Sequence, residues 1–306
     1  VASDHFDEWS SNDRPNTSNE PLDATFVYND ERVIYNVGAT YSGSFFNSPR
    51  YTSPTGAACD YAIRFSREDS FLGASKIIVS WPGSTGSPDS TLQSEQFSYW
   101  IANQLDLPFN YRRYVSVFVN GTKRNTVMED TQRPNQDMVQ QWFPNDPDGD
   151  LHKIQLRYES DDSARTTTTG LKSASLELRT NPDETLQIAA YRWNWAPRSD
   201  EVTANDFAPL SRLVEAVNTS EPDLYLSRVQ SLVDIKQWMR TFAVEHIVGN
   251  WDSYGYGNGQ NMYAYKPTDG KWQLMIWDLD IGNGSGESAR TPPFKLTNPF
   301  FPEVNG

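Results

Sequence analysis

Asn250-Trp-Asp252-Ser-Tyr254, Asn261-Met-Tyr-Ala-Tyr265 and Trp272-Gln-Leu-Met-Ile-Trp277-Asp278-Leu-Asp280 are the stretches on which the reading of this chain turns. A predicted amphipathic helix, roughly Ser231 to Val248, places Ile235, Trp238, Met239, Phe242 and Ile247 on one stripe and ends at Gly249-Asn250. Two short apolar-rich runs follow, with Asp269-Gly270 as the tip of a hairpin between them. Asp252, Asn261, Asp278 and Asp280 thus fall just outside helix or strand ends, where side chains can converge on a metal or a phosphate.

That layout suits phosphoryl transfer. The reaction needs one carboxylate to orient or deprotonate the attacking hydroxyl and hard oxygen ligands to hold magnesium against the phosphates. Asp252 fits the first role, because a carboxylate just past a helix C-terminus faces an unfavourable dipole unless a cation or donor compensates it. Asn261 with Asp278 or Asp280 fits the second. Strand alternation would send both aspartates to one face, and two like charges there favour a metal between them. Gly255, Gly257 and Gly259 with Tyr254 and Tyr256 read as a mobile loop, either one that orders on substrate or a tolerant insertion.

At these residues the chain resembles the spore coat protein H (CotH) kinase family, in which a helix leads to an Asp in a loop, then an Asn-x-Tyr-like strand, then Gly-Lys-Trp and Trp-Asp-x-Asp. The matching pieces are Asn250-Trp-Asp252, Asn261-Met-Tyr263, Gly270-Lys-Trp272 and Trp277-Asp-Leu-Asp280. Fainter likeness runs upstream through Tyr41-Ser-Gly43-Ser, Asp60-Tyr-Ala-Ile-Arg64-Phe, Val117-Phe-Val-Asn120-Gly121, Glu129 and Gly149-Asp-Leu-His-Lys153. The resemblance implies an α+β, atypical protein-kinase-like fold with a β-rich N-terminal lobe and a helical C-terminal lobe carrying a catalytic-loop hairpin. It also implies binding of ATP with Mg2+ or Mn2+ and transfer to Ser, Thr or Tyr of a protein. By that analogy Asp252 is the catalytic-loop Asp, Asp278 a metal ligand assisted by Asp280, and Trp272 a wall for the adenine ring. Arg64 stands where many members carry the phosphate-contacting Lys, with Glu129 as its partner. No aromatic precedes Glu129 where members tend to place a Tyr, so a catalytically inactive surface or matrix module is the alternative, and a glycan-binding protein a more distant one.

The organisation implied is a linker or cap over 1–23, an N-terminal lobe over 24–155 and a C-terminal lobe over 156–306 that continues into a longer multidomain chain. Turn chemistry and β-branched content predict strands at 25–28, 32–37, 60–65, 76–81 and 111–119, and a helix over 93–104. A short helix is predicted near 137–142 and another over 204–218. Asn145-Asp-Pro-Asp-Gly-Asp150 resembles a calcium loop, but Arg157 stands where an EF-hand needs its bidentate Glu, which leaves a turn with solvated carboxylates. Thr166 to Thr169 lies in a surface loop and is a self-phosphorylation candidate.

Charge narrows the partners. With 40 Asp and Glu against 26 Lys and Arg the net charge is −14, which disfavours adhesion to nucleic acid or anionic membrane. No run approaches the ~18 consecutive apolar residues of a membrane span. A single cysteine, Cys59, and three histidines offer neither an internal disulfide nor zinc spacing. Aromatic content of 13% with loops rich in Asn, Ser and Gly suggests an extracellular or cell-surface protein.

Overall fold

A computed structural model describes residues 21–42, 60–82, 91–160, 168–198 and 206–282. The Tyr41-Ser-Gly43-Ser likeness and the Thr166–Thr169 run fall half outside these residues, and the expected linker almost wholly outside them. The chain is α+β and divides into two units. One comprises residues 1–85, 110–133 and 160–168; the other comprises 86–109, 134–159 and 169–306. The division is more interleaved than a cut at residue 155, since 86–109 and 134–155 group with the C-terminal part.

Turn residues shape the first unit. Asn29 and Asp30 both take left-handed φ, near 52° and 56°, and join β1 (Leu22–Tyr28) to β2 (Arg32–Ser42). Asn120 and Gly121 do the same between β5 (Arg112–Val119) and β6 (Thr122–Gln132), as a two-residue hairpin of this hand requires. With β3 (Asp60–Arg64) and β4 (Lys76–Ser80) these strands make a six-stranded antiparallel sheet in the order β1-β2-β3-β4-β6-β5. One face buries Ile34, Val37, Tyr61, Phe71, Ile77, Val79 and Met128. Phe71 packs edge-on against Phe26 at 4.8 Å between ring centres.

The second unit is built around a four-stranded antiparallel sheet in the order β10-β7-β11-β12, from β7 (Asp150–Ile154), β10 (Trp195–Pro197), β11 (Met262–Lys266) and β12 (Gln273–Ile276). β8 (Arg157–Ser160) and β9 (Thr168–Lys172) form a separate two-stranded ribbon. Five α-helices occur among the described residues: α1 (Ser94–Gln104), α2 (Gln136–Trp142), α3 (Ala208–Val217), α4 (Pro222–Leu232) and α5 (Ile235–Val248). None is long and apolar enough to cross a membrane.

The helix expected from 231 to 248 is α5, which starts four residues later, after a separate α4. α4 ends at Leu232, Val233 turns extended, and Asp234 caps α5 by accepting the Gln237 N–H at 3.1 Å. The Asn145–Asp150 segment is not merely solvated: the Asp146 carboxylate accepts the backbone N–H groups of Thr268 and Asp269 and so fixes the β11–β12 turn.

The main core of this unit gathers Trp195, Leu213, Val214, Trp238, Trp272 and Leu274. β12 would otherwise leave an open edge, but Gln237 on α5 closes it. Its Nε2 donates to the Leu274 carbonyl at 2.7 Å, and its Oε1 accepts the Leu274 N–H at 2.9 Å. The Ile276 N–H is taken by the Pro108 carbonyl at 3.2 Å, so the same edge is covered at its other end.

Candidate active site

α5 ends because Gly249 adopts the left-handed conformation, φ 71°, in which its N–H returns to the last helical carbonyls. The chain then turns sharply into buried Asn250, whose Nδ2 donates to Glu245 Oε2 at 2.8 Å and to the Asp278 carbonyl at 3.3 Å. Two residues later comes Asp252. Three carboxamides hold its carboxylate: Asn258 Nδ2 donates to Oδ1 at 2.7 Å, Gln260 Nε2 donates to the same oxygen, and Asn261 Nδ2 donates to Oδ2 at 3.1 Å.

Pairing in the β11–β12 hairpin explains why Asp278 lies near. Met262 faces Ile276, so Asn261 and Asp278 follow at the open end of the same two strands. Both residues have left-handed φ, 52° and 62°. Strain of this kind in residues other than glycine persists where surrounding contacts impose it, and such places cluster at functional sites. The Asp278 N–H donates to the Tyr99 hydroxyl at 2.9 Å. β12 stops at Ile276, so the alternation expected to put Asp278 and Asp280 on one face does not apply: the left-handed turn at Asp278 breaks it, and Leu279 between them is buried. Asp280 is half-buried in the following turn.

The electrostatics mark the cluster. Burial pushes the Asp252 carboxyl up to about 6; the Gln260 and Asn258 donors oppose this, the charge on Asp278 adds to it, and Asn261 opposes it. Burial pushes Glu245 up to about 8, against the pull of Asn250 and Ser253 and with a further push from Asp278. At neutral pH Asp252 is therefore mostly ionised and Glu245 mostly protonated. An acid near 6, oriented by neutral donors, is poised to accept a proton.

The expected mobile loop is instead packed. Tyr254 and Tyr256 are buried, and the His246 imidazole meets the Tyr256 ring edge-on at 4.2 Å. Gly255, at φ 95°, lies so close to the Phe242 ring that no side chain fits there. This loop is the rigid support that carries Asn258 and Gln260 to Asp252.

Trp272 is not an adenine wall in this structure. Its ring is wholly buried beside His152, at 5.5 Å, and Trp195, at 6.5 Å, and a side chain without exposed surface offers no face to a base. In the first unit the pairing expected between Arg64 and Glu129 is replaced by Arg112–Glu129, at 2.6 Å with both side chains buried. Register is the reason. Ser80 faces both Glu129 and the level of Asp60, whereas Arg64 faces Lys76, four positions along the sheet or roughly 13 Å at about 3.3 Å per residue. Arg64 is exposed.

Asn258, Gln260, Asn250, Glu245 and Tyr99 escape a reading from sequence. Glu245 had a signal, since it continues the Trp238–Phe242 stripe of α5 as an acid on a buried face. Three amides in the nine residues that follow Asp252 were another.

Among the described residues no group of three or more His, Cys, Asp or Glu side chains gathers as a metal site. Magnesium does not require one, because it keeps several waters and uses one or two carboxylates plus substrate phosphates. Asp278, Asp280 and the Asn261 carboxamide oxygen are hard donors of that kind, and the repulsion between Asp278 and Asp252 is what a cation would relieve. The donor set fits the ion.

Fold and cluster together define an α+β protein with an acid–amide centre at the end of a strand hairpin. The chain belongs to the CotH kinase family: the family model described as CotH kinase protein matches residues 61–300. No curated protein matches it.

Proposed function

We propose that this chain transfers the γ-phosphate of ATP to a Ser, Thr or Tyr hydroxyl of a protein, in a Mg2+- or Mn2+-dependent reaction outside the cell or at its surface, on a kinase-like fold. The observation that carries the reading is the convergence of Asn261 and the charge of Asp278 on Asp252, whose carboxyl stands at about 6. Asp252 orients the acceptor hydroxyl and takes its proton. Asn258 and Gln260 hold that carboxylate in one rotamer without neutralising it. Asn261, Asp278 and, in support, Asp280 would hold the divalent ion, which when bound neutralises phosphate charge. Glu245 and Tyr99 are positioning residues. Glu245 acts through Asn250, which holds the Asp278 carbonyl, and Tyr99 accepts the Asp278 N–H. Arg64 is a phosphate contact whose loss would raise the KM for ATP.

A single-turnover assay with Mg-ATP and an acceptor protein tests this. An Asp252→Asn variant that folds and keeps full transfer rejects it, since loss of an orienting base costs on the order of 10²-fold or more.

One observation favours a second reading, a binding module without turnover. Glu129 is engaged by Arg112 rather than by Arg64, so the ion pair that kinases use to hold ATP phosphates is not assembled from the matching residues. Thermal-shift titration with Mg-ATP separates the two: the module gives no shift, the enzyme a concentration-dependent one.

A further inference from the structure

The second unit carries a feature that the acid–amide cluster does not use. A surface pocket of about 450 Å³ is lined by Arg157, Arg179, Arg192, Trp193, Gln187 and Ala189. Three guanidinium groups around one hollow run against a chain with net charge −14. They come from three segments that are tied together. The Trp193 indole N–H donates to the Leu156 carbonyl at 2.9 Å, and Asn194 Nδ2 donates to the Gln155 carbonyl at 2.9 Å, which fixes Trp193 beside Arg157. The Gln187 N–H donates to the Arg179 carbonyl at 2.8 Å. The Arg179 N–H donates to the Tyr191 hydroxyl at 3.1 Å, and that hydroxyl donates to the Glu177 carbonyl at 2.6 Å. The backbone of the pocket is thus set before any ligand arrives, while Arg157 and Arg192 project from exposed positions.

Little competes for Arg179 and Arg192 in their side-chain contacts. Glu177 lies 3.6 Å from Arg179, but both side chains are well exposed, and such pairs are weak. Arg192 sits over the Phe207 ring at 5.9 Å, a contact that leaves its outer N–H groups to point elsewhere.

We infer that this pocket binds a phosphate monoester, presented as a phosphorylated Ser or Thr side chain of a peptide. Guanidinium forks match phosphate oxygens two at a time, and three of them suit a dianion better than a carboxylate. The Trp193 face and Ala189 offer an apolar wall for the residues that flank the phosphate. A nucleotide is the poorer fit, because apart from Gln187 the lining has no side-chain acceptor to read the amino group of a base. The site stands whether or not the chain itself transfers phosphate.

Calorimetric titration of the whole chain, without ATP or divalent metal, tests the inference. A phosphothreonine peptide binds, its unphosphorylated twin binds at least roughly tenfold more weakly, and inorganic phosphate competes. Arg179→Gln with Arg192→Gln removes on the order of tenfold or more in affinity, while the double Lys variant, which keeps the charge but loses the forks, falls between. Circular dichroism confirms that each variant folds. Equal binding of the twin peptide overturns the proposal. So does unchanged affinity in the Gln variant, or ADP displacing the phosphopeptide at lower concentration than phosphate does.

Discussion

The two units bury acids in opposite ways. In the six-stranded sheet, Glu129 meets Arg112 at 2.6 Å and Asp130 meets Arg113 at 2.5 Å, with both carboxylates almost wholly buried. Beyond the C-terminus of α5, Asp252 meets Asn258, Gln260 and Asn261, and Glu245 meets Asn250. An arginine cancels the charge it holds. A carboxamide fixes the geometry and leaves the charge in place, so burial and the neighbouring Asp278 lift Asp252 to about 6 and Glu245 to about 8. Asp130 is raised as well, by burial, but Arg113 pulls against the rise. Acids held by neutral donors are the pattern of a working site, and acids held by guanidinium the pattern of a scaffold.

Removing the cation from a scaffold pair gives the largest effect. Arg112→Met takes the guanidinium away from the buried Glu129 carboxylate and is expected to cost about 3–5 kcal/mol, read as a lower midpoint in urea unfolding; a loss below about 1 kcal/mol would remove the contrast. Next comes Asp252→Asn, with transfer down by on the order of 10²-fold and the melting temperature largely kept.

The double variant Asn258→Ala, Gln260→Ala sharpens the comparison. It strips donors that favour the carboxylate, so the acid limb of the pH–rate profile moves upward from about 6; a limb that stays in place would mean the amides only pack. The smallest effect belongs to Glu245→Gln. Because the folded carboxyl lies near 8, above its unfolded value, the stability it contributes is present at low pH and is lost as pH rises through about 8. The variant lacks that loss, so its melting temperature gains on the parent between pH 5 and 8. Parallel curves would show that Glu245 does not titrate there.

What the sequence disclosed follows from how local each signal is. The Asn29-Asp30 and Asn120-Gly121 turns were legible because left-handed φ is a property of those residues, and the strands around them alternate. α4 was not, since its Leu224 and Leu226 face solvent and break the amphipathic stripe, although Pro222 at its first turn was a start signal. β7 hid behind His152, a polar residue whose burial pushes its imidazole down to about 4 and keeps it neutral. At the site, Asp252, Asn261 and Asp278 were visible as residues just past element ends. The clamp of Asn258 and Gln260 was not, because it depends on a loop held rigid by Phe242, Tyr254 and Tyr256. Trp272 and the expected Arg64–Glu129 pairing misled for one reason: a motif fixes residue type, whereas the packing of the hairpin and the register of the sheet fix what each side chain can reach.

Gln237 carries a consequence for the protein acceptor proposed for this chain. By standing in for a neighbouring strand against Leu274, with Pro108 doing the same for Ile276, it uses up the backbone groups through which an extended peptide could dock on β12 by strand addition. An acceptor segment that approaches the Asn261–Asp278 end of this hairpin must be recognised through its side chains and its charge, not through main-chain pairing along that edge.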